Sequence, residues 1–90
     1  MVDSETRIDG IGIRGKNTVV YKYTLVNVLA RNVDTLAFRQ AAWLGILSLI
    51  KVSPDLKELR DQQTRFEYCY NDKLNTPIYT FKIYPKDYNP

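Results

Sequence analysis

Two stretches of the chain alternate apolar and polar positions, and a long apolar stretch with a helical period lies between them. The clearest alternation runs from Thr18 to Asn27. Val19, Tyr21, Tyr23 and Leu25 line one face there, and Val20, Lys22, Thr24 and Val26 line the other, which predicts a strand. A weaker strand is predicted over Arg7 to Ile13. Ile8, Ile11 and Ile13 do not keep a strict two-residue period, and Gly10 and Gly12 point to a bulge or a close backbone approach. Gly15-Lys16-Asn17 reads as the turn that pairs these segments as a hairpin. A second hairpin is predicted near the end of the chain. Its first strand, Arg65 to Tyr70, sets Phe66, Tyr68 and Tyr70 against Arg65, Glu67 and Cys69, and its second, Pro77 to Tyr84, aligns Tyr79, Phe81 and Ile83. Asn75, in the loop between them, is the residue best suited to a left-handed backbone, and Pro85 closes the last strand.

Asp34 is placed to cap a helix running to about Ile50. Ser53-Pro54-Asp55 predicts the start of a short second helix ending near Asp61: Ser caps, Pro suits the first helical position, and an acid in the first turn favours the helix dipole. The order is then ββααββ. The economical architecture is a single α+β domain over residues 1–90, with a four-stranded, mainly antiparallel sheet and two helices packed on one face. Its inward set is Tyr21, Tyr23, Leu25, Phe66, Tyr68, Tyr70, Tyr79, Phe81 and Ile83.

The first helix carries more apolar surface than such a sheet can cover. At about 100° per residue, Phe38, Ala41, Ala42, Gly45, Ile46 and Leu49 fill one arc. Leu36, Trp43, Leu47 and Ile50 fill an adjacent arc, and Leu44 sits beyond both. The combined arc is twice the roughly 100° stripe that a surface helix needs. Leu36, Trp43, Leu47 and Ile50 are therefore the expected interface residues, and a homodimer is the simplest partner because two-fold contacts dominate soluble oligomers.

Composition narrows the chemistry. The chain has no His and a single Cys, which removes the commonest general base, the commonest zinc ligand and any internal disulfide. No catalytic residue, cofactor or metal ligand is expected. Cys69 reads as a structural strand residue without a base to activate it, and Arg7 with Asp9 reads first as a structural ion pair, with contact to a ligand as the alternative. Gly10 to Gly15 fits G-x-G-x-x-G only as a bare pattern, inside a hairpin rather than between a strand and a helix. Asp55, Glu58 and Asp61 are interleaved with Lys57 and Arg60, as on an ordinary solvated helix. The net charge of +3 is spread along the chain rather than clustered. The apolar run Ala41 to Ile50, flanked by Arg39 and Lys51, is about half a membrane span, so no span is expected. Met1 is not followed by a basic and then apolar leader. Tyrosine is the remaining lead. Tyr21, Tyr23, Tyr68 and Tyr70 are candidate residues for a pocket holding a small apolar or aromatic ligand. A weaker alternative is a tyrosine-rich sheet stacking single-stranded nucleic acid.

Met1-Val2-Asp3-Ser4-Glu5-Thr6-Arg7-Ile8-Asp9, followed by Tyr21-Lys22-Tyr23-Thr24-Leu25-Val26-Asn27, resembles a family of small exported bacterial proteins of uncharacterised function. The family pattern reads M-V-D-x-E-T-R-L-D and then Y-x-Y-T-L-V-N. Ser53-Pro54-Asp55-Leu56 and the ending Asn75 to Tyr88, with Pro77, Ile78, Ile83, Pro85 and Asp87, are similar to later parts of it. The resemblance implies export and a cysteine pair, one before the second helix and one at the C-terminus. This chain has Lys51 and Tyr88 at those positions, as expected where a bridge has been lost and export with it is in question. Assembly through the apolar helix is then the expected substitute for the staple. The resemblance implies no activity.

Overall fold

A computed structural model describes residues 6–89. Its strands are β1 (Thr6–Arg14), β2 (Thr18–Leu25), β3 (Arg65–Asn71) and β4 (Pro77–Ile83). Between the strand pairs lie α1 (Thr35–Val52) and α2 (Lys57–Asp61), and a final turn of helix, α3 (Pro85–Tyr88), follows β4. Single 3₁₀ turns at Ala30–Asn32 and Pro54–Leu56 lead into α1 and α2. The α+β class and four-stranded sheet agree with the sequence reading; α3 is an element it did not contain.

The strands lie in the order β1-β2-β3-β4. Both hairpins are antiparallel, whereas β2 and β3 run parallel, from Thr18 opposite Arg65 to Thr24 opposite Asn71. The sheet is thus mixed, with a parallel seam at its centre. The two-helix connection makes this possible, because parallel neighbours need a crossover of a dozen or more residues.

The register explains the irregular first strand. Ile8 pairs with Tyr23, Ile11 with Tyr21 and Ile13 with Val19, with the register shift between Ile8 and Gly10. One extra residue, Asp9, is taken up there, so isoleucines three apart still share one face. Cross-strand pairing continues this face through Phe66, Tyr68 and Tyr70 to Ile83, Phe81 and Tyr79.

α1 packs on that face over β3 and β4. Its N-cap forms as expected, with Asp34 Oδ1 accepting from the Ala37 N–H at 3.1 Å. At its other end, Arg60 Nη1 donates to the carbonyls of Ile50 and Ser53 at 2.7 and 2.6 Å, which satisfies oxygens a helix end leaves open. The core consists of Ile46 and Ile50 from α1, Tyr23, Phe66, Tyr68, Phe81 and Ile83 from the sheet, and Tyr88 from α3. Tyr88 sets its ring edge against Phe66 and donates its hydroxyl to the Thr64 carbonyl at 2.6 Å. The β3–β4 loop is organised by Asp72, whose Oδ1 accepts from the Leu74 and Thr76 N–H groups and whose Oδ2 accepts from Ala30 N–H, each at 2.8 Å. Asn75 holds the expected left-handed conformation, with φ 67°.

Candidate functional site

The four expected interface residues fall in different environments. Leu36 is exposed. Trp43 and Leu47 are half-buried and lean on the core. Ile50 is fully buried at 0% exposure, which removes it from any interface. The sheet meets α1 at the boundary between the two apolar arcs and takes Ile46 from one and Ile50 from the other. A helix apolar over so wide an arc carries no periodic signal to say which part faces its own sheet. The outer side of α1 instead presents Leu44 at 68% exposure, Leu49 at 51% and Val52 at 73%. Leu44 was legible as an outlier of the helical projection; Val52 lay beyond the expected end of the helix.

A second uncovered row lies on β1. Ile11 and Ile13 are exposed on the same sheet face that α1 covers further along, and Ile8 is at the margin of exposure. The helices stop short of this strand.

The four candidate ligand-binding tyrosines line none of the principal cavities among the described residues. Instead they stack on one another. Ring centroids lie 4.7 Å apart for Tyr21–Tyr68, 5.8 Å for Tyr23–Tyr68 and 5.2 Å for Tyr23–Tyr70. Tyr23 and Tyr68 are buried, and Phe38 of α1 sets its ring against Tyr70 at 5.3 Å. Burial pushes the Tyr68 phenol well above its usual range, with the neighbouring tyrosines adding to the effect. The pocket expected from these residues is therefore filled by the rings themselves. Base stacking on this face is corrected for the same reason, since α1 lies over it.

Three depressions stand out among the described residues, and one of them, about 560 Å³, lies beside Asn17, Gln63, Arg65 and Tyr84. A second, about 630 Å³, is a groove between α1 and the free edge of β4. Leu36, Arg39, Gln40 and Trp43 form its helix wall, and Tyr79 to Lys82 its strand wall. The Arg39 guanidinium sits 4.7 Å from the centre of the Tyr79 ring, a cation–π distance. The third, about 430 Å³, lies on the opposite sheet face around Lys22, Thr24, Cys69 and Asn71. There the Arg7–Asp9 ion pair forms at 2.8 Å as expected. Asp9 also accepts from the Thr24 hydroxyl, and these two bonds, Thr24 first, hold its carboxyl below the ordinary range. Asp72 is held low by its backbone donors, chiefly Ala30 and Thr76. Both carboxylates are engaged in holding the fold. Cys69 is a half-buried free thiol beside Lys22. Among the described residues no three His, Cys, Asp or Glu side chains converge as metal ligands.

α1 also corrects the reading of the apolar run. At 18 residues it is long and apolar enough, by length and composition, to cross a membrane. Here it lies along the sheet with Ile46 and Ile50 in the core.

No protein-family model matches the chain. No curated protein sequence matches it either. The fold is shared with a crystal structure of a Pseudomonas aeruginosa protein assigned provisionally as secreted, with a TM-score of 0.80 over 99% of this chain and 77% of that one. The two sequences are 11% identical, so the likeness is one of fold. The class defined here is a small α+β domain with one four-stranded mixed sheet.

Proposed function

We propose that this domain is a non-enzymatic binding or accessory module that self-associates as a homodimer through the outer side of α1. The observation that carries this reading is the exposure of Leu44, Leu49 and Val52 on a helix whose other side already fills the core. Large aliphatic side chains clustered on one helix form a patch of a few hundred Å², the size at which an apolar surface marks an interaction site. A two-fold contact between two copies of the same helix covers both patches with one interface. The isoleucine row of β1 supplies further apolar surface on the same side of the sheet.

The exported-family resemblance fits this reading. Tyr88, where that pattern has its C-terminal cysteine, is buried and bonded to Thr64. Lys51, at the other cysteine position, is exposed on α1. The C-terminus is thus fastened without a bridge, and association adds stability that a small domain otherwise draws from disulfides.

Light scattering at micromolar concentration tests the reading. The wild type is expected as a dimer, and Leu44→Asp with Leu49→Asp as a monomer of unchanged circular dichroism. A wild-type monomer across the accessible concentration range defeats the proposal.

A further inference from the structure

We propose that the sheet face turned away from α1 binds single-stranded nucleic acid, holding its phosphates on the strand cations and stacking a base on Tyr84. This surface lies across the sheet from α1, so the proposal does not rest on self-association.

Strand alternation gathers charges that are scattered in the sequence. Every charged residue of the four strands takes a position on the face opposite α1: Arg7, Asp9 and Arg14 on β1, Lys22 on β2, Arg65 and Glu67 on β3, and Lys82 on β4. The cations exceed the acids by three, which equals the net charge of the whole chain, +3. All of these cations are exposed. Both acids are already engaged, Asp9 by Arg7 and Glu67 by Arg14, each at 2.8 Å. Lys22, Arg65 and Lys82 form no ion pair among the described residues. They stand on three different strands, which spreads the unpaired charge over the face and suits a chain of phosphates.

The depression beside Arg65 indicates which polyanion fits. Tyr84 is exposed there, and Arg65 Cζ and Lys86 Nζ each lie 5.9 Å from the centre of its ring. That distance is the outer limit of a cation–π contact, so the two cations flank the ring without closing it. Among the described residues no carboxylate lines the depression, and nearby Asp87 is engaged by the Tyr84 N–H at 2.9 Å. An open aromatic ring between cations is a platform for an unpaired base, with the phosphates of the same strand led onto the basic face. A duplex hides the faces of its bases and a lipid headgroup has none, so the ring selects a single strand.

Full-length protein is titrated into a fluorescein-labelled oligothymidylate of about 20 nucleotides, and anisotropy is followed between about 50 and 200 mM salt. Saturable binding is expected. Three unpaired cations at about −0.7 each give a log–log salt slope near −2, so affinity falls roughly 20-fold over that range. Lys22→Gln combined with Lys82→Gln is expected to bring the slope to about −0.7. Tyr84→Ala is expected to weaken binding about tenfold with the slope unchanged. Lys51→Gln combined with Lys57→Gln removes the same charge from the helices and is expected to leave affinity within about twofold of the wild type. At equal phosphate concentration, duplex DNA and phosphatidylserine vesicles are expected to compete less well than unlabelled oligothymidylate. Circular dichroism of each variant confirms the fold. The proposal is overturned by the lack of saturable binding at the lower salt, by an unchanged slope in the strand double variant, or by wild-type affinity in Tyr84→Ala. An equal loss in the helix double variant, or competition by duplex or vesicles as strong as by the single strand, overturns it as well.

Discussion

Ile50 and Leu44 lie six residues apart on one helix, and the structure gives them opposite roles. Ile50 is fully buried among the core side chains, whereas Leu44 is 68% exposed. Truncating Ile50 to alanine removes three carbons, at about 0.8 kcal/mol each for the lost transfer energy alone. The cavity left behind adds to this, and core Ile→Ala changes span about 2–5 kcal/mol. With Ile50 wedged beneath α1 near the Arg60 hydrogen bonds, little collapse is available, so a loss of about 3–4 kcal/mol is expected. For a domain of this size that lowers the melting temperature by more than about 10 °C. Leu44→Ala removes side chain that is already in water and should change monomer stability by less than about 0.5 kcal/mol. Urea unfolding, followed by tyrosine circular dichroism at a concentration low enough to keep the protein monomeric, measures both. An Ile50→Ala loss below about 1 kcal/mol, or a Leu44→Ala loss above it, contradicts the assignment of core and outer sides of α1.

Two further expectations concern polar groups inside the fold. Tyr88→Phe leaves the Thr64 carbonyl without its buried donor and should cost about 1–3 kcal/mol in urea melts; an unchanged midpoint means the C-terminal turn is not fastened as described. Asp72 has a carboxyl held below its ordinary 3.8 by backbone donors, so its contribution to stability is present above that value and lost as pH falls through the lower folded one. Asp72→Asn should therefore lower stability at neutral pH and flatten the acid limb of the stability profile, with the share due to Asp9 remaining; an acid limb identical to the wild type counts against it.

The sequence made the strands legible because their faces differ. The alternation around Tyr21 and Tyr68 survives into the structure residue by residue, and Asn75 takes the left-handed turn its loop position predicts. The parallel seam was not legible, because strand direction across a long connection is set by the path of the helices and leaves no periodic mark on β2 or β3. α3 leaves little mark in the sequence because the four residues Pro85–Tyr88 carry too little pattern, although Asp87 accepts from the Tyr84 N–H at 2.9 Å in a capping arrangement. The helical projection misplaces Ile50 because an apolar arc about twice as wide as one sheet covers does not say which part of it faces the core. Alternation alone suits the tyrosines to a core and to a pocket alike, and only their stacking distances separate those roles. The groove beside Trp43 depends on how far α1 stands from the edge of β4, a distance between elements that no local spacing encodes.

The parallel seam has a consequence for how the chain comes together. Each hairpin joins neighbours in sequence and closes on its own, but Thr18 meets Arg65 only after the whole helical segment has been made. During synthesis the first hairpin therefore emerges with its isoleucines and tyrosines unsheltered, waiting for a lid and a flanking strand that arrive last.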